Sequence, residues 1–174
     1  MKKVLTATFA FLMVAAIATA ENHGMMPLGG GPGPNGDVIV TSSGTVIVTD
    51  TVIDTGTRTA TTTVKAIGSN GTVLWTTTLT KGHGPLVASG SSLLSVNETV
   101  ASDGMSTSTI TALSLATGAT AWAKTFNGRV TDLRPFSGGT YVVVVVPATT
   151  SGGAATRALV ALDDSGSQLW SINL

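Results

Sequence analysis

The chain has no cysteine. It forms no disulfide, offers no thiol for catalysis and has no cysteine to carry a lipid behind an export signal. Charge is scarce as well: Asp, Glu, Lys and Arg make up 10% of the 174 residues, and the formal net charge is zero. Setting aside Lys2 and Lys3 leaves 7 of the 9 basic residues against 9 acidic ones, a net of −2. Such a chain has no basic patch to hold a nucleic-acid backbone, and no nucleic-acid partner is expected. There are only two histidines and one tyrosine. No long stretch places apolar residues at helical spacing, which excludes a helical protein. A Gly-x-Ser-x-Gly elbow is missing, and the glycines between residues 29 and 36 follow no strand and open no helix. The common nucleophile and phosphate-loop sites are therefore absent.

What is present is Thr, Ser, Gly and Val. Thr and Val favour strands and Gly breaks helices, so the composition predicts an all-β protein. The length allows one domain with a real core. Lys2-Lys3, the apolar run Val4 to Ile17 and the small residues Ala18-Thr19-Ala20 read as a signal peptide over 1–20, with Glu21 the first mature residue. The competing reading, an uncleaved anchor, sits at the lower length limit for crossing a bilayer. No stable membrane span is expected after cleavage. Residues 21–36 include Gly29-Gly30-Gly31-Pro32-Gly33-Pro34-Asn35-Gly36, a Gly/Pro-rich leader that cannot pack a core.

From Asp37 onward the chain repeats itself. One phrase runs from Ala66 to Trp75, a second from Ala112 to Trp122 and a third from Ala161 to Trp170. Each tryptophan follows a glycine by four residues: Gly71, Gly118 and Gly166. The tryptophans lie 47 and 48 residues apart, the period of a four-stranded propeller blade. Three units follow, at about 37–80, 81–126 and 127–174, each with four short strands. The second strands centre on Val46-Ile47-Val48, Leu93-Leu94-Ser95 and Tyr141-Val142-Val143, apolar on both faces as a strand between two neighbouring blades should be. Tyr141 to Val146 is the segment most prone to aggregate if uncovered, with Pro147 as a breaker at its end.

These phrases resemble the PQQ-like, or quinoprotein-type, β-propeller repeat, whose docking phrase runs Ala, any, Asp, two of any, Thr-Gly, three of any, Trp. The middle unit matches this spacing, with Ser114 in place of Asp. The other two are one residue shorter before the glycine; the third keeps Asp163 and the first has Gly68. The resemblance implies a propeller in which Trp75, Trp122, Trp170, Gly71, Gly118 and Gly166 are structural, each indole packing on the next blade. It does not imply quinone binding, because the paired cysteines and calcium ligands of the longer family enzymes have no counterpart here. The family includes envelope assembly scaffolds.

Three blades do not close a ring, since propellers have four or more. The sequence starts at an innermost strand and stops at an outermost one, with no fragment of a fourth blade. An open arc exposes two apolar faces. A second copy joined head to tail into a six-bladed homodimer is the expected solution, with a partner's blades or a truncated product as alternatives.

Few residues are candidates for chemistry. His83 sits between two glycines and reads as an exposed loop imidazole. After cleavage, Glu21, Asn22 and His23 would form a free amine, two amides and an imidazole able to wrap Cu(II) or Ni(II) in a plane, with Met25 and Met26 as soft ligands for Cu(I). Asp163-Asp164 reads as a turn rather than a calcium site, since the spaced oxygen ligands are missing. Asp50, Asp54, Glu98, Asp103 and Asp132 show no pairing. No catalytic residue and no firm cofactor is indicated. The reading is an exported, non-enzymatic scaffold in periplasm or at the cell surface, with copper handling, a polymerising surface subunit and a quinone-binding ring as the alternatives.

Overall fold

The computed structural model describes residues 38–54, 59–80, 86–148 and 153–174. The signal and leader readings, the Glu21, Asn22 and His23 site and His83 lie outside the described residues.

The described residues form twelve strands and no helix. The first sheet comprises β1 (Val38–Val40), β2 (Val46–Asp54), β3 (Thr59–Ile67) and β4 (Val73–Thr80); the second β5 (Val87–Ser89), β6 (Ser92–Val100), β7 (Ser106–Ser114) and β8 (Thr120–Asn127). The third comprises β9 (Arg129–Phe136), β10 (Gly139–Val146), β11 (Thr156–Asp163) and β12 (Gln168–Asn173). Each sheet is an antiparallel meander paired in chain order. The protein is all-β, three propeller blades in sequence.

Local chemistry sets the hairpins. In the turn between β3 and β4, Gly68 N–H donates to the Thr72 carbonyl at 2.8 Å and Gly71 N–H to the Gly68 carbonyl at 2.9 Å. The ladder shifts register between Ala66 and Ile67, as expected where a turn ends in a left-handed glycine. The turn between β11 and β12 repeats the pattern. The middle unit's extra residue is absorbed locally: Gly118 N–H reaches back four residues to the Ser114 carbonyl at 2.8 Å, and the glycine keeps its spacing to the tryptophan.

Sheet stacking decides which faces are buried. One core cluster lies between the first two sheets, with Ile47, Val64, Ala66 and Trp75 on one side and Leu93 and Leu113 on the other. A second cluster joins Leu94, Val96, Ile110 and Ala112 to Leu133, Val142, Val144, Val160 and Leu162. On β6, Leu93 and Leu94 thus point into different cores, and Ser92 through Val96 are all buried. The inner strands of the end blades differ from expectation: β2 alternates half-buried and buried residues, because only one face has a neighbouring sheet. Near the inner edge a buried hydroxyl chain ties blades two and three, with Thr140 Oγ1 donating to Ser89 Oγ at 2.9 Å and Ser89 Oγ to the Gly139 carbonyl at 3.0 Å.

Ile110 is fully buried between blades two and three. Ile110→Ala should cost about 2–5 kcal/mol in urea unfolding, whereas Val100→Ala at an exposed position should stay within about 0.5 kcal/mol. Equal losses would contradict this core assignment.

Candidate functional site

Two joints hold the blades together at their outer strands. Trp75, on β4, is 8% exposed and donates Nε1–H to the Leu115 carbonyl of the second blade at 2.8 Å. Its ring lies on Gly118, where an added Cβ would stand 2.5 Å from Trp75 Cε3. Trp122, on β8, donates to the Asp164 carbonyl of the third blade at 2.9 Å and lies on Gly166, where a Cβ would meet its ring at 2.6 Å. Both glycines have positive φ, 71° and 81°. Backbone conformation and ring contact thus require glycine independently.

The remaining two docking residues are not brought together. Trp170, on β12, is 43% exposed and has no hydrogen-bond partner for Nε1 among the described residues. Its ring leans on Tyr141 at 5.8 Å between centroids, and Tyr141 stacks on Phe136 at 4.4 Å. Gly71 has φ 81° and nothing within 4 Å of a built Cβ. Among the described residues, one end thus presents a half-exposed indole that no neighbouring blade receives and the other a glycine turn that no indole covers.

Exposed apolar residues concentrate at these ends. Among the described residues, the large apolar side chains exposed in the first blade are Val38, Val40, Val52, Ile53, Val73 and Leu74; Leu169, Trp170, Ile172 and Leu174 are exposed at the far end of the third; in the middle blade the one exposed large apolar side chain is Val100. By register, Val38 and Val40 share a sheet face with the half-buried Val48 and Val46, turned away from the second blade.

The charged residues are used locally. Asp163 Oδ1 accepts the Ser165 hydroxyl at 2.7 Å and the Ser165 and Ser167 amides at 2.9 Å each. The Ser165 hydroxyl, then the Ser167 amide, hold its carboxyl below the ordinary aspartate range. Asp164 supplies the carbonyl that receives Trp122. Glu98 meets Arg129 at 3.3 Å, Asp132 meets Arg134 at 3.0 Å, and Asp103 Oδ1 caps the Met105 amide. No group of three or more His, Cys, Asp or Glu converges among the described residues. An open groove of about 370 Å³ runs between the first two blades, lined by Thr41, Ser42, Ser43, Leu74, Ser91 and Ser114. Sequence reasoning missed Lys124, whose Nζ donates to the Gly166 carbonyl at 3.4 Å beside the Trp122 joint. Its position two residues after the tryptophan was the available signal.

No protein-family model matches the chain. No curated protein matches it either. Among solved structures the chain is similar to the crystal structure of BamB from Moraxella catarrhalis, at 19% identity and a TM-score of 0.41. The match covers 82% of this chain and 46% of that one, so the chain spans less than half the length of that protein. No helix among the described residues is long and apolar enough to cross a membrane.

Gly118→Ala should destabilise by about 3 kcal/mol, combining a left-handed alanine with loss of the indole hydrogen bond and part of its burial. Gly104→Ala shares the positive φ but meets nothing within 4 Å, and should lose only about 1–2 kcal/mol. Equal losses would remove the docking account.

Asp163 gives a pH dependence with a defined sign. A depressed folded value means stabilisation present in full above the ordinary 3.8 and lost as pH falls through the folded value. The melting-temperature gap between the native chain and Asp163→Ala should be steady near neutral pH and close below 3.8. A gap unchanged at about pH 2 would contradict it.

Proposed function

We propose that this chain is an exported, non-enzymatic protein of PQQ-like propeller repeats that acts as a binding and assembly scaffold in the cell envelope. The observation that carries the reading is the placement of exposed apolar side chains. Among the described residues the large ones crowd the two end blades, and the middle blade exposes one, Val100. Apolar surface gathered at the ends of a repeat array suits protein association, whereas small-molecule sites are enclosed and lined by a few convergent polar groups. Export rests on Lys2-Lys3, the Val4 to Ile17 run and Ala18-Thr19-Ala20, followed by a mature start at Glu21. The repeat type rests on the three phrases and on the two indole-on-glycine joints they form. The partner is another copy of the chain or a second envelope protein, engaged through the end faces.

The absence of cysteine gives a clean test. Single-cysteine variants Val40→Cys and Ile172→Cys, expressed as the full chain in a bacterium, should be recovered outside the cytoplasm with Glu21 as the first residue. An impermeant cross-linker should join both to protein, while Asp103→Cys in an exposed turn of the middle blade should remain unlinked. Retention of the uncleaved chain in the cytoplasm overturns the export reading. Equal labelling at all three positions with no cross-link overturns the binding reading.

A further inference from the structure

The free indole and the free glycine turn are two halves of the joint that the chain already makes twice. The Gly68–Gly71 turn carries the same backbone bonds as the Asp163–Gly166 turn. Gly68 N–H to the Thr72 carbonyl at 2.8 Å matches Asp163 N–H to the Ser167 carbonyl at 2.9 Å. Gly71 N–H to the Gly68 carbonyl at 2.9 Å matches Gly166 N–H to the Asp163 carbonyl at 3.0 Å. Both glycines have φ 81°. In this shared turn Ser69 holds the place of Asp164, whose carbonyl receives Trp122.

The other half matches too. Trp170 pairs with Ala161 across its ladder as Trp122 pairs with Ala112 and Trp75 with Ala66, so all three indoles leave the same face of their sheets. Four residues beyond the tryptophan, Leu79 and Phe126 pack against the two cores, whereas Leu174 in that place is exposed. On the receiving side, Leu93 and Leu113 are 0% and 2% exposed beneath the first blade. Their register equivalents in the first blade, Val46 and Ile67, are only half-buried.

We propose that the two halves meet between copies: Trp170 of one chain docks on Gly71 of a second copy and donates Nε1–H to that copy's Ser69 carbonyl. The interface continues the blade-to-blade joints of the chain itself, and this continuity identifies the occupant. One chain carries both halves, so two copies satisfy both ends at once and bring six blades into one ring, within the size range of propellers. The proposal rests on the reading that the end faces bind protein.

Light scattering after size-exclusion chromatography of the exported full-length product tests it. The native chain should elute at twice its own mass. Trp170→Ala, which removes an exposed side chain, should elute at one chain mass with its circular dichroism unchanged. Gly71→Ala should do the same, its Cβ filling the space an indole needs. An equimolar mixture of the two variants keeps one intact joint per mixed pair and should form a two-chain species that is weaker than the native one and dissociates on dilution, whereas either variant alone stays at one chain mass. Long polymers that vanish in Trp170→Ala support the same joint without closure. A native chain at one chain mass across the concentration range, or a two-chain species that survives Trp170→Ala, overturns the proposal. In either case, cross-links from Val40→Cys and Ile172→Cys to another protein would leave the scaffold reading standing, and loss of those cross-links would end both.

Discussion

An indole lying flat on a left-handed glycine is the contact on which the blade stack depends. Adjacent sheets meet closely at their inner strands, where Ser89 and Thr140 are bonded directly. At the outer strands the gap between blades is spanned by a full indole, and a smaller side chain would leave a void there. Trp75 and Trp122 fill that gap, cover the two core clusters and discharge their single donors onto carbonyls of the next blade. A buried indole without such an acceptor would lose about 1–3 kcal/mol to an unsatisfied donor. The glycine makes this possible by presenting the bare backbone of a tight turn.

The scarcity of charge follows from the same architecture. Surfaces between blades must be dry, and no charged side chain among the described residues is fully buried; Asp103 and Asp163 cap backbone amides at turns. Sheet surfaces that do meet water are covered by threonine. There Thr109 and Thr125 bond to each other across strands at 3.1 Å, and the same pairing satisfies the fully buried Thr62 hydroxyl against Thr51 at 2.7 Å, while both pairs keep the β-branched shape that strands favour. Two solvent-exposed ion pairs contribute little beside this.

Much of the fold was legible in the sequence, because the repeat period and the turn glycines are local signals. The twelve strands, in three sheets of four, follow the four short strands per unit that the repeat period implies. The burial of Ser92 through Val96 on both faces was readable from Leu93-Leu94-Ser95 standing in the middle unit. The opposite outcome at Val46 and Val48 was not, since their apolar character is the same and only the neighbouring sheet distinguishes them. The joints show a similar limit. In sequence Trp75 stands four residues from Gly71, yet in space it rests on Gly118, a pairing that spacing alone cannot express. Asp163 read as a turn residue and caps one; that the next residue's carbonyl would anchor an indole was visible only in three dimensions.

A chain of blades joined in series always makes one joint fewer than it has blades, so one indole and one glycine turn remain over. The energetics decide what an arrangement of such chains must look like. Burying a whole indole removes about 150–250 Å² from water, which at about 25 cal/mol per Å² is roughly 4–6 kcal/mol. Trp170 is already more than half covered by its own blade, so its docking supplies about half of that, plus about 1 kcal/mol for its hydrogen bond. Association costs about 4–15 kcal/mol in lost freedom of motion. A single joint built on the indole therefore falls short unless the aliphatic faces around it contribute as well. Two joints formed together share one association cost, because the second forms within an already joined pair and needs no further encounter. A heterologous contact whose two ends can meet gains most from closing at the smallest ring that geometry permits, and the proposed two-copy ring would let both joints form for one association cost.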